Sequence, residues 1–222
     1  MDAAVTAVRT RSVARWTALA GAAYVVFFVV GTILLFSGAP DGDAPPAKVI
    51  QWYSDSGHRD QINIGWILVG LGIFFFLWFA ATVRRAVMAV DGEGILTAVV
   101  GIGGGVYAAV AFAAVALNSG IRTMSDDTFQ HRVYPDLIHA ANDAGYVMHA
   151  TGAAALGAMI IAMSLAFMWG AVWPTWAGWL GVAVGILAIA AILFFTQWLF
   201  LLWILVVSIL MFLRGLPTAR AV

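Results

Sequence analysis

The chain has no cysteine. Disulfides, thiolate metal sites and cysteine nucleophiles are therefore excluded. Charge is nearly as scarce: 10% of the 222 residues are Asp, Glu, Lys or Arg, against 63% hydrophobic, where a soluble domain carries about 25% charged residues. No soluble fold of this size has interior enough for that much apolar surface, so lipid must be the solvent for most of it. No basic run of the kind that binds nucleic acid is present, and the net charge is zero. Lysine occurs once, at Lys48 between apolar runs, so no helix offers a Schiff-base lysine. No Asp, Glu, Lys or Arg lies deep in an apolar run, which argues against a proton-coupled transporter built on a buried carboxylate. One histidine, His149, lies within a run, too few for a bis-histidine haem. A simple aqueous pore would want more polar lining.

What the chain does have is five long apolar runs. Four match the roughly 20 residues that cross a hydrocarbon core: residues 16–36, 64–83, 95–117 and 144–169. The fifth, 176–213, carries no charge and would be about 57 Å long as one helix. That is too long for one crossing. Its one adjacent polar pair, Thr196-Gln197, suggests a split into 176–194 and 198–213. The expectation is an all-α bundle of six transmembrane helices forming a single domain, in the cytoplasmic membrane of a bacterium. The first run is too long for a signal peptide and reads as an uncleaved span.

Charge sign orients the bundle. With the N-terminus inside, Arg9, Arg11, Arg15, Arg84, Arg85, Arg214 and Arg220 face the cytoplasm, while Lys48, Arg59, Arg122 and Arg132 face outward. This excess of basic residues follows the positive-inside rule, and it places the C-terminus inside too. Asp41, Asp43, Asp55, Asp60, Asp126, Asp127, Asp136 and Asp143 fall outside.

Between the spans, Pro45-Pro46 and Gly57 bracket a short helix over 46–56, whose Val49, Trp52 and Tyr53 share a face. It should lie on the outer surface. Ser125-Asp126-Asp127 could start another short helix, and Pro135 opens the helix that runs into the fourth span. Trp173-Pro174 breaks the chain after that span. Trp52, Tyr53, Trp173 and Trp176 read as interfacial anchors. Gly101 with Gly105, and Gly181 with Gly185, have the small-xxx-small spacing that lets helices approach closely.

One polar cluster invites chemistry. On a helix through residues 136–149, Asp136, His139, Asp143, Tyr146 and His149 fall within an arc of about 140°. His139 and Asp143 are four apart and can touch. Imidazole and carboxylate are ordinary ligands of zinc and other divalent metals, so His139, Asp143 and His149 are candidate ligands, and Asp55, His58 and Asp60 could approach from the second span. The structural alternative is a surface pair at His139 and Asp143, with His149 bonded to a neighbouring helix, for example to Tyr107 or Asn118. The spacing matches no recognised metal motif such as HExxH, and no other cofactor is implied.

Several segments also carry a resemblance: Pro46-Ala47-Lys48-Val49-Ile50-Gln51-Trp52-Tyr53, Leu77-Trp78-Phe79 with Arg84-Arg85, the Gly-rich third span, and Trp173-Pro174-Thr175-Trp176-Ala177-Gly178-Trp179-Leu180-Gly181. Over nearly its whole length the chain resembles a group of actinobacterial membrane proteins similar to the DUF4386 family. That family carries no established activity, so the resemblance implies topology and not mechanism. Three functions stay open. The first is a non-enzymatic accessory or scaffold subunit, or a homo-oligomer, with membrane lipids and other subunits as partners. The second is a transporter or binding protein for a hydrophobic or lipid-like molecule, and the third an outer-facing metal-dependent enzyme.

Overall fold

The computed structural model describes residues 16–122, 132–192 and 196–216. Arg9, Arg11, Arg15 and Arg220 lie outside them, as do the helix start expected at Ser125-Asp126-Asp127 and Phe195 beside the proposed split. The regular elements among the described residues are all helices, with no strand: α1 (Ala20–Phe36), α2 (Pro46–Ser54), α3 (Ser56–Asp91), α4 (Ile95–Arg122), α5 (Pro135–Trp169), α6 (Thr175–Ile189) and α7 (Gln197–Arg214). A 3-10 turn, Ala190–Ile192, follows α6. Three stretches are long and apolar enough to cross a membrane: Ser56–Asp91, Ile95–Gly120 and Pro135–Trp169. Ala20–Phe36, Thr175–Ile189 and Trp198–Arg214 are apolar and shorter. The chain is a helical membrane protein.

The long helices overrun the apolar runs that forecast them. α3 starts at Ser56 and not near residue 64. Asp55 is extended, and its carboxylate accepts the His58 backbone N–H at 3.1 Å, an N-cap that carries the helix outward through polar residues. Gly57, expected to end the short helix, instead lies in α3's first turn. At the other end α3 continues to Asp91, where Gly92 at φ +63° turns the chain. The Asp91 carboxylate then accepts the Thr97 N–H at 3.0 Å, and the Thr97 hydroxyl donates to the Gly92 carbonyl at 2.8 Å, tying α3 to the start of α4.

α1 packs on α3, α3 on α4, α4 on α5, and α5 on α6, while α7 closes against α1 and α6. Lipid offers no hydrophobic drive for helices to associate, so contact area and close backbone approach must hold the bundle. Glycines mark the approaches. A Cβ on Gly31 would lie 2.8 Å from the Gly65 carbonyl oxygen, joining α1 to α3. One on Gly103 would lie 2.6 Å from the Ala155 oxygen, joining α4 to α5, and one on Gly157 2.5 Å from the Gly185 oxygen, joining α5 to α6. A polar clasp adds to these: the Ser208 hydroxyl of α7 donates to the Ala18 carbonyl at 2.5 Å and accepts the Ala22 N–H at 3.0 Å.

The Gly-rich run of α4 therefore works differently from its spacing. Gly105 is exposed, and a Cβ there would meet nothing within 4 Å; one on Gly101 would meet only the Arg84 side chain. Within the chain, the contacts belong to Gly103 and Gly104. The reason is rotation: the buried face of α4 passes through Val100, Tyr107, Ala108, Ala111 and Ala114, and Gly105 lies off it. Gly181 and Gly185 lie against Ser164 and Trp203, and against Ile161 and Gly157.

The aromatic anchors also divide. Trp176 is 69% exposed, whereas Trp173 is 8% exposed and turned inward, 4.9 Å from the Phe167 ring and 5.7 Å from Trp203. Its backbone N–H bonds the Phe167 carbonyl at 3.0 Å in a tight reversal through Ala171 at φ +55°, which folds Trp173 back onto the bundle. Trp52 is partly exposed, while Tyr53 is buried beneath α2.

Candidate functional site

Five helices meet at a buried polar centre. α1 contributes Tyr24 and Phe28, α3 Phe76, α4 Tyr107, α5 His149 and α7 Phe200. Tyr24, Phe76, Tyr107 and Phe200 have no exposed surface. Helical period places Tyr107 on the buried face of α4, next to Gly103 and Gly104, where close packing draws α4 against α5 and α3. Tyr24 sits on the α1 face that meets α3 at Gly72.

The two tyrosine hydroxyls share a hydrogen bond of 2.5 Å. His149 stacks on Phe28 with ring centroids 5.4 Å apart and an interplanar angle of 22°. It meets Tyr107 edge-on at 6.0 Å and Phe200 at 6.3 Å. Its Nε2 is buried and makes no hydrogen bond among the described residues. Two tyrosines bring two O–H hydrogens, and the bond between them uses one. The accepting hydroxyl keeps its own hydrogen, while a neutral imidazole carries one lone pair and one N–H. The centre thus pairs an unspent donor with a buried ring nitrogen in need of a partner, inside an aromatic shell.

The residues proposed as ligands do not converge. His139 is partly exposed, and Asp143 is exposed one turn further along α5. His149 lies about 9 Å beyond Asp143 along the axis and faces the aromatic centre. Among the described residues no three His, Asp or Glu side chains gather as a metal site. His58 is engaged at the junction of α2 and α3: its Nδ1 is 3.1 Å from the Trp52 carbonyl and 3.7 Å from Asp55 Oδ1, and its ring stacks on Trp52 at 4.5 Å. Asn118 donates to the Ala114 carbonyl of its own helix at 3.0 Å. Of the two partners considered for His149, Tyr107 is therefore the one whose ring reaches it.

Sequence reasoning missed Tyr24, Phe28, Phe76 and Phe200. Tyr24 carried a usable signal, as the one phenol in the first apolar run. A phenol buried in lipid or protein must find a partner, and Tyr107 is another such phenol.

A second feature lies on the surface. An apolar groove of about 560 Å³ runs between the start of α1 and the second half of α3, lined by residues that include Trp16, Ala20, Ala23, Phe74, Phe75 and Trp78. Comparison of the chain with family models, with curated proteins and with solved structures finds no match in any of the three.

Proposed function

We propose that the chain spans a bacterial cytoplasmic membrane six times with both ends in the cytoplasm, and that it works by contact, as an accessory or scaffold subunit that pairs first with a second copy of itself. The topology rests on the basic residues clustered at Arg84-Arg85 and near both termini, and the resemblance to DUF4386 proteins points the same way. The contact function rests on one observation. Gly105, Ala109 and Ala113 continue the four-residue spacing from Gly101 and stand exposed on α4. Elsewhere in the bundle, Gly31, Gly65, Gly103, Gly157 and Gly185 are taken up by neighbouring backbones. A smooth small-residue face among bulky exposed neighbours such as Ile102 and Val106 gives another helix a place to approach.

The absence of cysteine makes the test clean. Ala109→Cys should form a disulfide-linked dimer on mild oxidation in native membranes. Ile67→Cys, also exposed but on α3, should not. No dimer at Ala109, or equal dimer at both, would remove the basis for the proposal.

The groove between α1 and α3 favours a second reading, a binding protein for a hydrophobic or lipid-like molecule. A divalent metal at His139, Asp143 and His149 has less support, because the three side chains are spread along α5.

A further inference from the structure

We propose that the groove between α1 and α3 is a binding site for one anionic phospholipid, its acyl chain lying along Phe74, Phe75 and Trp78 and its headgroup meeting Arg85. The inference rests on the reading that these helices are embedded in a bilayer, and it names the ligand class for the lipid-binding alternative.

The groove has a shape suited to a chain. Ala20 and Ala23 form a low floor on α1, and the rings of Trp16, Phe74, Phe75 and Trp78 stand around it. Phe75 is held in place by stacking on Phe27, with ring centroids 5.5 Å apart and planes 4° from parallel.

The register of the two helices sets the depth. Gly31 meets Gly65, and a Cβ on Gly21 would press on the Phe79 ring at 2.5 Å. Continued in the same antiparallel sense, this register puts Trp16 level with Arg84 and Arg85. Tryptophan prefers the headgroup depth, and Trp16 is 62% exposed there.

The charge lies on the same line. Phe74, Trp78, Ala81 and Arg85 are all exposed, and their spacing puts them on one face of α3. The rise from Phe74 to Arg85 is roughly 16 Å, about half of a hydrocarbon core of roughly 30 Å. One leaflet's acyl chain fits between the Phe74 level and the guanidinium. Arg84 turns the other way, with its side chain across Gly101 of α4, which leaves Arg85 as the headgroup contact. Among the described residues no carboxylate pairs with Arg85. A cation about 10 Å beyond Trp78 along the same exposed face of α3, at the level of an interfacial tryptophan, selects an anionic lipid over a zwitterionic one.

The test uses the purified full chain in mixed micelles holding equal amounts of phosphatidylglycerol and phosphatidylcholine, with retained lipid counted by native mass spectrometry. Wild type should keep one phosphatidylglycerol in preference to phosphatidylcholine. Arg85→Gln should reduce that preference about five-fold, the effect of one basic contact with an anionic lipid surface. Arg85→Lys should keep most of it, and Arg59→Gln, at the other end of α3, should leave it unchanged. Ala23→Trp and Ala20→Trp should each reduce retention of both lipids by filling the groove, in protein whose thermal unfolding shows it folded. Unchanged preference in Arg85→Gln, unchanged retention in both folded tryptophan variants, or displacement of the lipid by free glycerol phosphate would each overturn the assignment. The Ala109 crosslink reads a different face of the bundle, so failure of this site and failure of the contact function are told apart.

Discussion

Tyr24 and Tyr107 form a pair whose energetics the geometry constrains tightly. Each hydroxyl is fully buried, and each is the other's partner at 2.5 Å. Tyr24→Phe removes one oxygen and leaves the Tyr107 hydroxyl buried without that bond, a cost of about 1–3 kcal/mol. Tyr107→Phe does the same to Tyr24. The double variant removes both polar groups and keeps both rings, so the aromatic contacts with Phe76 at 5.2 and 4.8 Å survive. Replacing both partners by apolar groups of the same shape is close to neutral. The double variant should therefore lose less stability than the two single variants together, with a coupling of about 2 kcal/mol or more, the sum of two single costs of about 1–3 kcal/mol each less a near-neutral double. Equilibrium unfolding in mixed micelles, with the fraction folded followed against denaturing detergent, gives the four free energies of the cycle. Strict additivity would mean that the two hydroxyls do not bond in the membrane, and the centre at His149 would lose its donor.

Two further perturbations address the same packing account. Gly185→Ala and Gly105→Ala differ by where the new methyl goes: the first presses on Gly157 and Ile161 and should cost about 1–3 kcal/mol, and the second meets open space and should stay within about 0.5 kcal/mol when measured by thermal unfolding of the monomer. His149→Phe replaces a buried unpartnered Nε2 by a ring among Phe28, Tyr107 and Phe200, and unfolding in the same micelles should show it as stable as wild type or more so; a loss of about 2 kcal/mol would show that His149 has a partner in the folded protein.

Much of the architecture was legible before any coordinates. Apolar runs announced the helices because lipid penalises an unpaired backbone, Pro46 and Pro135 marked helix starts because proline suits a first turn, and Trp173-Pro174 marked the break before α6. Helix ends were not legible in the same way. α3 gains two polar turns from an Asp55 cap, and hydropathy does not register a cap. Rotation was hidden too. The run from Gly101 to Gly105 offers several small faces, and tertiary packing chose Gly103 and Gly104. Trp173 shows the limit of composition: its neighbours Trp169 and Trp176 are exposed, but a reversal of the chain sends Trp173 inward. At the site, His149 was visible as a lone imidazole in an apolar run. Its aromatic shell was not, since Tyr24 and Phe200 lie far from it in sequence.

The central claim is the orientation of a six-span bundle, and single-cysteine labelling tests it most directly. Native cysteines are absent, so Asp41→Cys and Asp91→Cys each report one site without background. In intact cells a membrane-impermeant maleimide should label Asp41→Cys and leave Asp91→Cys unlabelled until the membrane is permeabilised. Labelling of Asp91→Cys from outside would contradict the account.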